Sequence, residues 1–196
     1  GFSFHEDAPL DMRMNREEAL TARDIVNSYD EREITEILFK YGEEAYARNI
    51  ARAIVGYRAD KEIESTLELV DIIKGAVPAR YRRDKHPARK SFQALRIAVN
   101  GELDALREVL PQAVEVLKPG GRLCIISFHS LEDRIVKQFM QEKARSCICP
   151  PDFPICVCKQ QPLLRVINRK PIMANIEECT GNPRARSARL RVAARI

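Results

Sequence analysis

No run of apolar residues in this sequence approaches the roughly 20 needed to cross a bilayer as a helix, which argues against a transmembrane helix. The start, Gly1-Phe2-Ser3-Phe4-His5-Glu6-Asp7, lacks the basic-then-apolar pattern of a signal peptide, and the plain reading is a soluble cytoplasmic protein. No internal repeat or low-complexity tract is present, so a solenoid or a compositional linker is not indicated. A glycine-rich loop of the phosphate-binding type is missing too, and the chain does not begin with methionine. Only three strands can be read from it, too few for a doubly wound sheet covered on both faces. The expectation is a piece whose upstream part is missing.

What is present fits a folded domain. An apolar content of 45% is that of a globular core and argues against disorder throughout. The net charge of +5 is modest, but it is unevenly placed. Arg80, Arg82, Arg83, Lys85, Arg89 and Lys90 crowd one stretch, with Tyr81 and His86 among them. Arg184, Arg186, Arg189, Arg191 and Arg195 crowd the end of the chain. Such blocks suit phosphate contact, which is independent of base sequence; a solvated face is the alternative.

Residues 15–90 read as an all-helical unit. Thr21 with Asp24, Asp30 with Glu33, and Ser65 with Glu68 each place a capping side chain three residues before an acid. Ile34, Ile37, Leu38 and Tyr41 recur at helical spacing up to Gly42, which is suited to end the helix in a left-handed turn; Tyr46, Ile50, Ile54 and Val55 make the next stripe. Residues 78–87 read as a basic exposed loop, with a new helix starting near Pro87. Its stripe, Phe92, Leu95, Val99, Leu103, Leu106 and Leu110, predicts a long helix bent near Gly101 or Pro111.

Lys118-Pro119-Gly120-Gly121 then forbids helix continuation and leads into residues 122–128, an apolar run without alternation, as in a strand buried on both faces. Cys124 within it reads as an inert core residue. Ser130 with Asp133 is expected to cap a further helix through Val136 and Met140, and residues 163–168 and 188–193 offer two more strands. Helix, strand, helix is a fragment of an α/β layer. Because ligands sit beyond the carboxyl ends of strands in such sheets, Ser127, Phe128 and His129 are candidates for a pocket edge. A structural bond from His129 to a neighbouring carbonyl is the competing reading.

Four of the six cysteines fall as Cys147-Ile148-Cys149 and Cys156-Val157-Cys158. In a cytoplasmic chain this points to thiols or metal rather than disulfides. Four thiolates in a tight loop suit tetrahedral zinc. However, zinc sites usually separate paired cysteines by two or more residues, and alternate residues of an extended chain face opposite ways. Zinc and metal-free thiols both stay open.

Longer words of the sequence carry a resemblance. Gly1-Phe2-Ser3-Phe4 with Pro9-Leu10-Asp11-Met12-Arg13-Met14, and His86-Pro87-Ala88 with the words from Phe92 to Asn100, resemble the RsmH (MraW) family of ribosomal RNA cytosine-N4 methyltransferases. Pro119-Gly120-Gly121-Arg122-Leu123, Ile126-Ser127-Phe128-His129-Ser130-Leu131-Glu132-Asp133-Arg134 and the tail from Asn182 to Arg191 are similar to it as well. The resemblance spans the chain.

The resemblance implies an α/β fold, an incomplete Rossmann-like methyltransferase sheet with an all-helical insertion. Residues 1–14 would be a catalytic-domain segment, 15–90 the substrate-recognising insertion, and 91–196 the C-terminal part of the catalytic domain. It implies S-adenosylmethionine as donor and small-subunit ribosomal RNA as partner, with the donor loop upstream of Gly1 and no donor-binding residue in this chain. Transfer to an exocyclic amine is an in-line displacement in which positioning is most of the catalysis, and the base must be exposed to the pocket. The candidate RNA-facing residues are Arg13, the 80–90 cluster, Arg184 and Arg186; no general base is named. Asp11 and Arg13 also suit a structural ion pair, and Phe2 and Phe4 suit a core. An RNA-binding module without catalysis and an interaction fragment, including a homodimer, are the alternatives.

Overall fold

The computed structural model describes residues 1–84, 86–147, 149, 158 and 160–196. They divide into two compact units, residues 1–102 and 103–196. No helix among the described residues is long and apolar enough to cross a membrane.

The first unit is helical. The three start signals act as the sequence predicts. Thr21 and Asp30 form capping boxes with Asp24 and Glu33 for α1 (Ala22–Ser28) and α2 (Glu31–Gly42), and Ser65 accepts the Glu68 N–H at the start of α4 (Thr66–Ala76). Between them, α3 (Ala47–Arg58) buries Ile50 and Ile54, one turn apart. A short α5 (Tyr81–Asp84) lies inside the stretch expected as a loop, and α6 (Arg89–Asn100) follows. Gly101, at φ +57°, ends α6, and α7 (Glu102–Glu115) carries Pro111 inside it. The predicted long helix is therefore two.

Gly42 has another role than the one expected. The left-handed residue is Glu43, at φ 48°, and Gly42 is the last helical residue. A Cβ on Gly42 would stand 2.8 Å from the Lys90 carbonyl oxygen, so the missing side chain lets α2 close on α6. Ile34, Leu38, Ile50, Ile54, Leu69, Ile73 and Leu95 are completely buried or nearly so in the core that results. Each contributes about 1.5–3 kcal/mol against leaving it exposed.

The amino-terminal segment belongs to this unit. Pro9 pairs with Ser65 in an antiparallel bridge, Thr66 N–H donates to the Ala8 carbonyl, and Leu10 and Met12 are buried in the helical core. Helix α6, which the sequence assigns with residues 91–196, also packs here, on α2 and α1.

In the second unit, β1 (Arg122–Ser127), β2 (Leu164–Val166), β3 (Ile172–Met173) and β4 (Arg189–Arg195) form one sheet. β4 is central: β1 lies on one side, and β2 and β3 lie in succession on the other, all antiparallel to it. β1 and β2 therefore run parallel to each other with β4 between them. The described partner of β1 is antiparallel. One expectation is corrected: β1 is not buried on both faces. Leu123 and Ile125 pack in a core with Leu110 and Val114 of α7 and residues of α8 (Ser130–Lys143), and Ser127 is buried on the same side, whereas Cys124 and Ile126 are exposed on the other face. Cys124 is thus exposed and not a core residue among the described residues. α8 turns Val136 and Met140 towards Leu123 and Ala193, with Asp133 on the same helical face.

Candidate functional site

In the first unit the basic stretch forms a cleft of about 500 Å³. Its walls are rings: Tyr46 and Tyr81 meet edge-on at 4.9 Å and 70°, and His86 and Pro87 complete the lining together with Arg80, Arg89 and Lys90. Phe4 supports His86 from behind, stacked at 4.6 Å and 25°, and packs on the helical core as expected; Phe2 is instead exposed. Burial, with the nearby charges of His5 and Lys74, pushes the His86 imidazole below its ordinary pKa. It therefore offers a neutral ring at pH 7, and its Nδ1 accepts the Ala88 N–H at 3.3 Å.

Tyr81 is anchored. Its hydroxyl donates to both carboxylate oxygens of Glu44, at 2.9 and 3.0 Å, and Glu44 is only 1% exposed. Desolvation, then the Glu44 bond, pushes the phenol up to about 12, so it stays a donor in ordinary buffers. The cations differ in availability. Lys90 Nζ donates to the Glu43 carbonyl at 2.7 Å, and an Arg82 nitrogen donates to the Val77 carbonyl at 3.2 Å. Arg80, Arg83 and Arg89 are exposed, and Arg80 and Arg89 form no ion pair among the described residues. Lys85 lies outside the described residues.

Arg13 is engaged in the fold. Its guanidinium grips Asp11 through two bonds of 2.7 and 2.9 Å and donates to the Arg16 and Glu18 carbonyls. The hydrogen bond from Arg13 is the main cause that holds the Asp11 carboxyl at about 2. Between them Met12 is buried with φ +61°, a left-handed backbone that costs a bulky residue on the order of 1–3 kcal/mol. Asn100 holds this turn: its amide donates to the Met12 carbonyl at 2.8 Å, and its oxygen accepts the Met14 N–H at 2.7 Å. Sequence reasoning gave Asn100 no role, because its partners are 86 and 88 positions away.

In the second unit the register brings the carboxyl end of β1 to the amino end of β4, with Ser127 opposite Arg189. The 3-10 turn Pro183–Ser187, which carries the exposed Arg184 and Arg186, runs into that same end of the sheet. Ser127 is buried, its hydroxyl 3.4 Å from the Arg189 carbonyl, while the Phe128 ring is 56% exposed beside it. The cap of α8 is a correction: His129, not Ser130, is the N-cap, and its Nδ1 accepts the Glu132 N–H at 3.4 Å. Glu132 Oε2 in turn accepts the Phe128 and His129 N–H groups at 2.8 and 3.2 Å. Beneath this end lies a pair that the sequence reading missed. Arg191 grips Asp133 at 2.6 and 3.0 Å, and both side chains are nearly buried.

Cys147, Cys149 and Cys158 bring their sulfurs within 4.8 Å of one another; Cys156 lies outside the described residues.

Comparison with known proteins gives one answer for the whole chain. The family model described as the MraW methylase family matches residues 1–196. A protein of Heliobacterium modesticaldum is 57% identical over 197 aligned residues, covering 100% of this chain and 63% of that protein. One of Carboxydothermus hydrogenoformans is 56% identical over 196, with the same coverage, and one of a Paenibacillus species is 56% identical, covering 62% of its length. Each is named ribosomal RNA small subunit methyltransferase H. The chain spans about 63% of the length of the relatives it matches. With every described segment inside one family match and half or more of its residues shared with these relatives, the chain belongs to the MraW methylase family.

Proposed function

We propose that, within a longer protein, this chain supplies an RNA-holding helical unit and the C-terminal part of a Rossmann-like catalytic sheet. The enzyme would transfer a methyl group from S-adenosylmethionine to the N4 amine of a cytosine in small-subunit ribosomal RNA. The observation that carries the RNA part is the cleft of the first unit, where aromatic side chains and exposed arginines line one concavity. Bases taken out of a helix stack on aromatic side chains while cations follow their phosphates, and this is the pairing that the cleft presents.

The sheet reading has its own support. β1 has no strand on its outer edge among the described residues, and one face of the sheet exposes Cys124, Ile126 and Ile172. Such an edge and face call for further strands and a covering layer. In the longer protein residues 1–14 and 91–196 would belong to the catalytic domain by sequence, with 15–90 as the insertion. Phe128, Arg184 and Arg186, gathered at one end of the sheet, would border the pocket.

The described residues do not fit the donor itself. No glycine-rich loop joins a strand to a helix among them, and the Phe128 and His129 N–H groups at the start of α8 are taken by Glu132. The 196-residue chain should therefore bind S-adenosylmethionine weakly or not at all in a calorimetric titration. Tight binding would place the donor site in this chain and overturn the division of roles. The second reading is a module that binds RNA without catalysis, for which the cleft alone would suffice. Methylation of small-subunit RNA by the longer protein separates the two.

The RNA role has a direct test. Fluorescence anisotropy with a labelled small-subunit ribosomal RNA hairpin should show salt-dependent binding. Reversing charge at Arg80→Glu and Arg89→Glu together should weaken it about tenfold and flatten the log–log salt slope by about one to two units. An unchanged slope would remove the cleft from the interface.

A further inference from the structure

We propose that Cys147, Cys149 and Cys158 bind a zinc ion that staples the connection between α8 and β2. The three sulfurs lie within 4.8 Å of one another, and those of Cys147 and Cys158 are 3.8 Å apart. Thiolates at about 2.3 Å from a tetrahedral zinc stand roughly 3.8 Å from each other, whereas a disulfide requires about 2.0 Å. The Cys147–Cys158 spacing matches that of two ligands on one ion, and the Cys149 sulfur lies within reach of the same centre.

The obstacle raised by the one-residue separation of Cys147 and Cys149 does not hold in the folded chain. Both sulfurs join the same cluster, and the Cys149 N–H donates to Cys147 Sγ at 3.4 Å. Backbone N–H bonds to a sulfur stabilise it as a thiolate, the form that binds metal. Three protein thiolates leave one tetrahedral position for a further donor.

The place in the fold explains what a metal would do. Residues 144–163 connect α8 to β2, and their ends are tied by Leu163 N–H to the Lys143 carbonyl at 2.8 Å and by Gln160 to the Arg145 carbonyl at 3.4 Å. An ion held by Cys147 and Cys149 on one side and Cys158 on the other closes that loop just above its tied base.

The test is metal analysis of the 196-residue chain, produced with zinc in the medium and purified reduced and without chelator. About one zinc per chain is expected, falling at least tenfold in the Cys147→Ser/Cys158→Ser double variant and unchanged in Cys179→Ser, which lies outside the cluster. Replacing the ion by cobalt in the unmutated chain should produce thiolate-to-cobalt charge-transfer absorption, a readout that does not depend on any variant folding. Under about a tenth of an equivalent of zinc together with no cobalt–thiolate band would overturn the proposal. So would a Cys147–Cys158 disulfide in the reduced preparation, or a folded double variant that keeps its zinc.

Discussion

Asp133→Ala should destabilise the second unit by about 3–5 kcal/mol, read as a lowered urea midpoint for the loss of its sheet signal. The physical reason is what remains. Arg191 sits in β4 under α8 with its guanidinium nearly buried, and it donates two bonds to Asp133 and one to the Arg169 carbonyl. Removing the carboxylate leaves a buried charge with one neutral acceptor in place of a bidentate partner. Arg189, 3.4 Å from the same carboxylate, loses a weaker contact. The control is Asp133→Leu with Arg191→Met, which removes both charges and should recover most of the loss, since apolar pairs often replace buried ion pairs at little cost. Equal losses in the single and double variants would mean that packing, not the charge, is responsible.

Acid should erode the same contribution. The Arg191 hydrogen bonds hold the Asp133 carboxyl below the usual carboxylate range, against the opposing effect of burial. A group whose folded pKa is depressed adds stability above its unfolded value, roughly 3.9, and loses it as the pH falls through the folded value. The gap between the unmutated chain and Asp133→Ala should therefore be full at neutral pH and narrow only below about pH 4.

Asp133 also marks where sequence reading stops. The caps at Thr21, Asp30 and Ser65 were legible because donor and acceptor lie three residues apart, and no distant part of the chain can alter that geometry. The same rule misassigned the next helix: both Ser130 and His129 precede an acid by three residues, and the serine preference outweighed an imidazole that caps through Nδ1. Partners across the chain were not legible. Asp133 reads as a first-turn acid until β4 places Arg191 opposite Ile125, 58 residues beyond it. Strand β1 read as doubly buried because its apolar run has no alternation, yet burial depends on what covers each face, and among the described residues α7 and α8 cover the Leu123 and Ile125 side while Cys124 and Ile126 stay exposed. At the candidate site the composition of the basic stretch was visible, but not which cations the fold would occupy. Arg13 is tied to Asp11 and two carbonyls, Lys90 to Glu43, and Arg82 to Val77, while Arg80 and Arg89 are left exposed at the cleft.

Tyr81 allows the aromatic half of the cleft to be separated from its scaffold. Tyr81→Phe keeps a ring against Tyr46 but removes the hydroxyl that serves both oxygens of Glu44, a carboxylate 1% exposed that also accepts the Tyr46 N–H at 3.0 Å. A buried acceptor deprived of its donor costs about 1–3 kcal/mol, so this variant should lower the thermal midpoint of the first unit while leaving much of the RNA affinity. Tyr81→Ala removes the ring as well. Base stacking on an aromatic is worth about 1–3 kcal/mol, so affinity for the same RNA hairpin should fall about 5- to 150-fold beyond the phenylalanine variant, at an unchanged salt slope. The slope distinguishes the causes, because a lost phosphate contact changes it and a lost stack does not. If Tyr81→Phe and Tyr81→Ala weaken RNA binding equally, the ring is not a stacking surface, and Tyr81 acts through Glu44 by holding α5 in place.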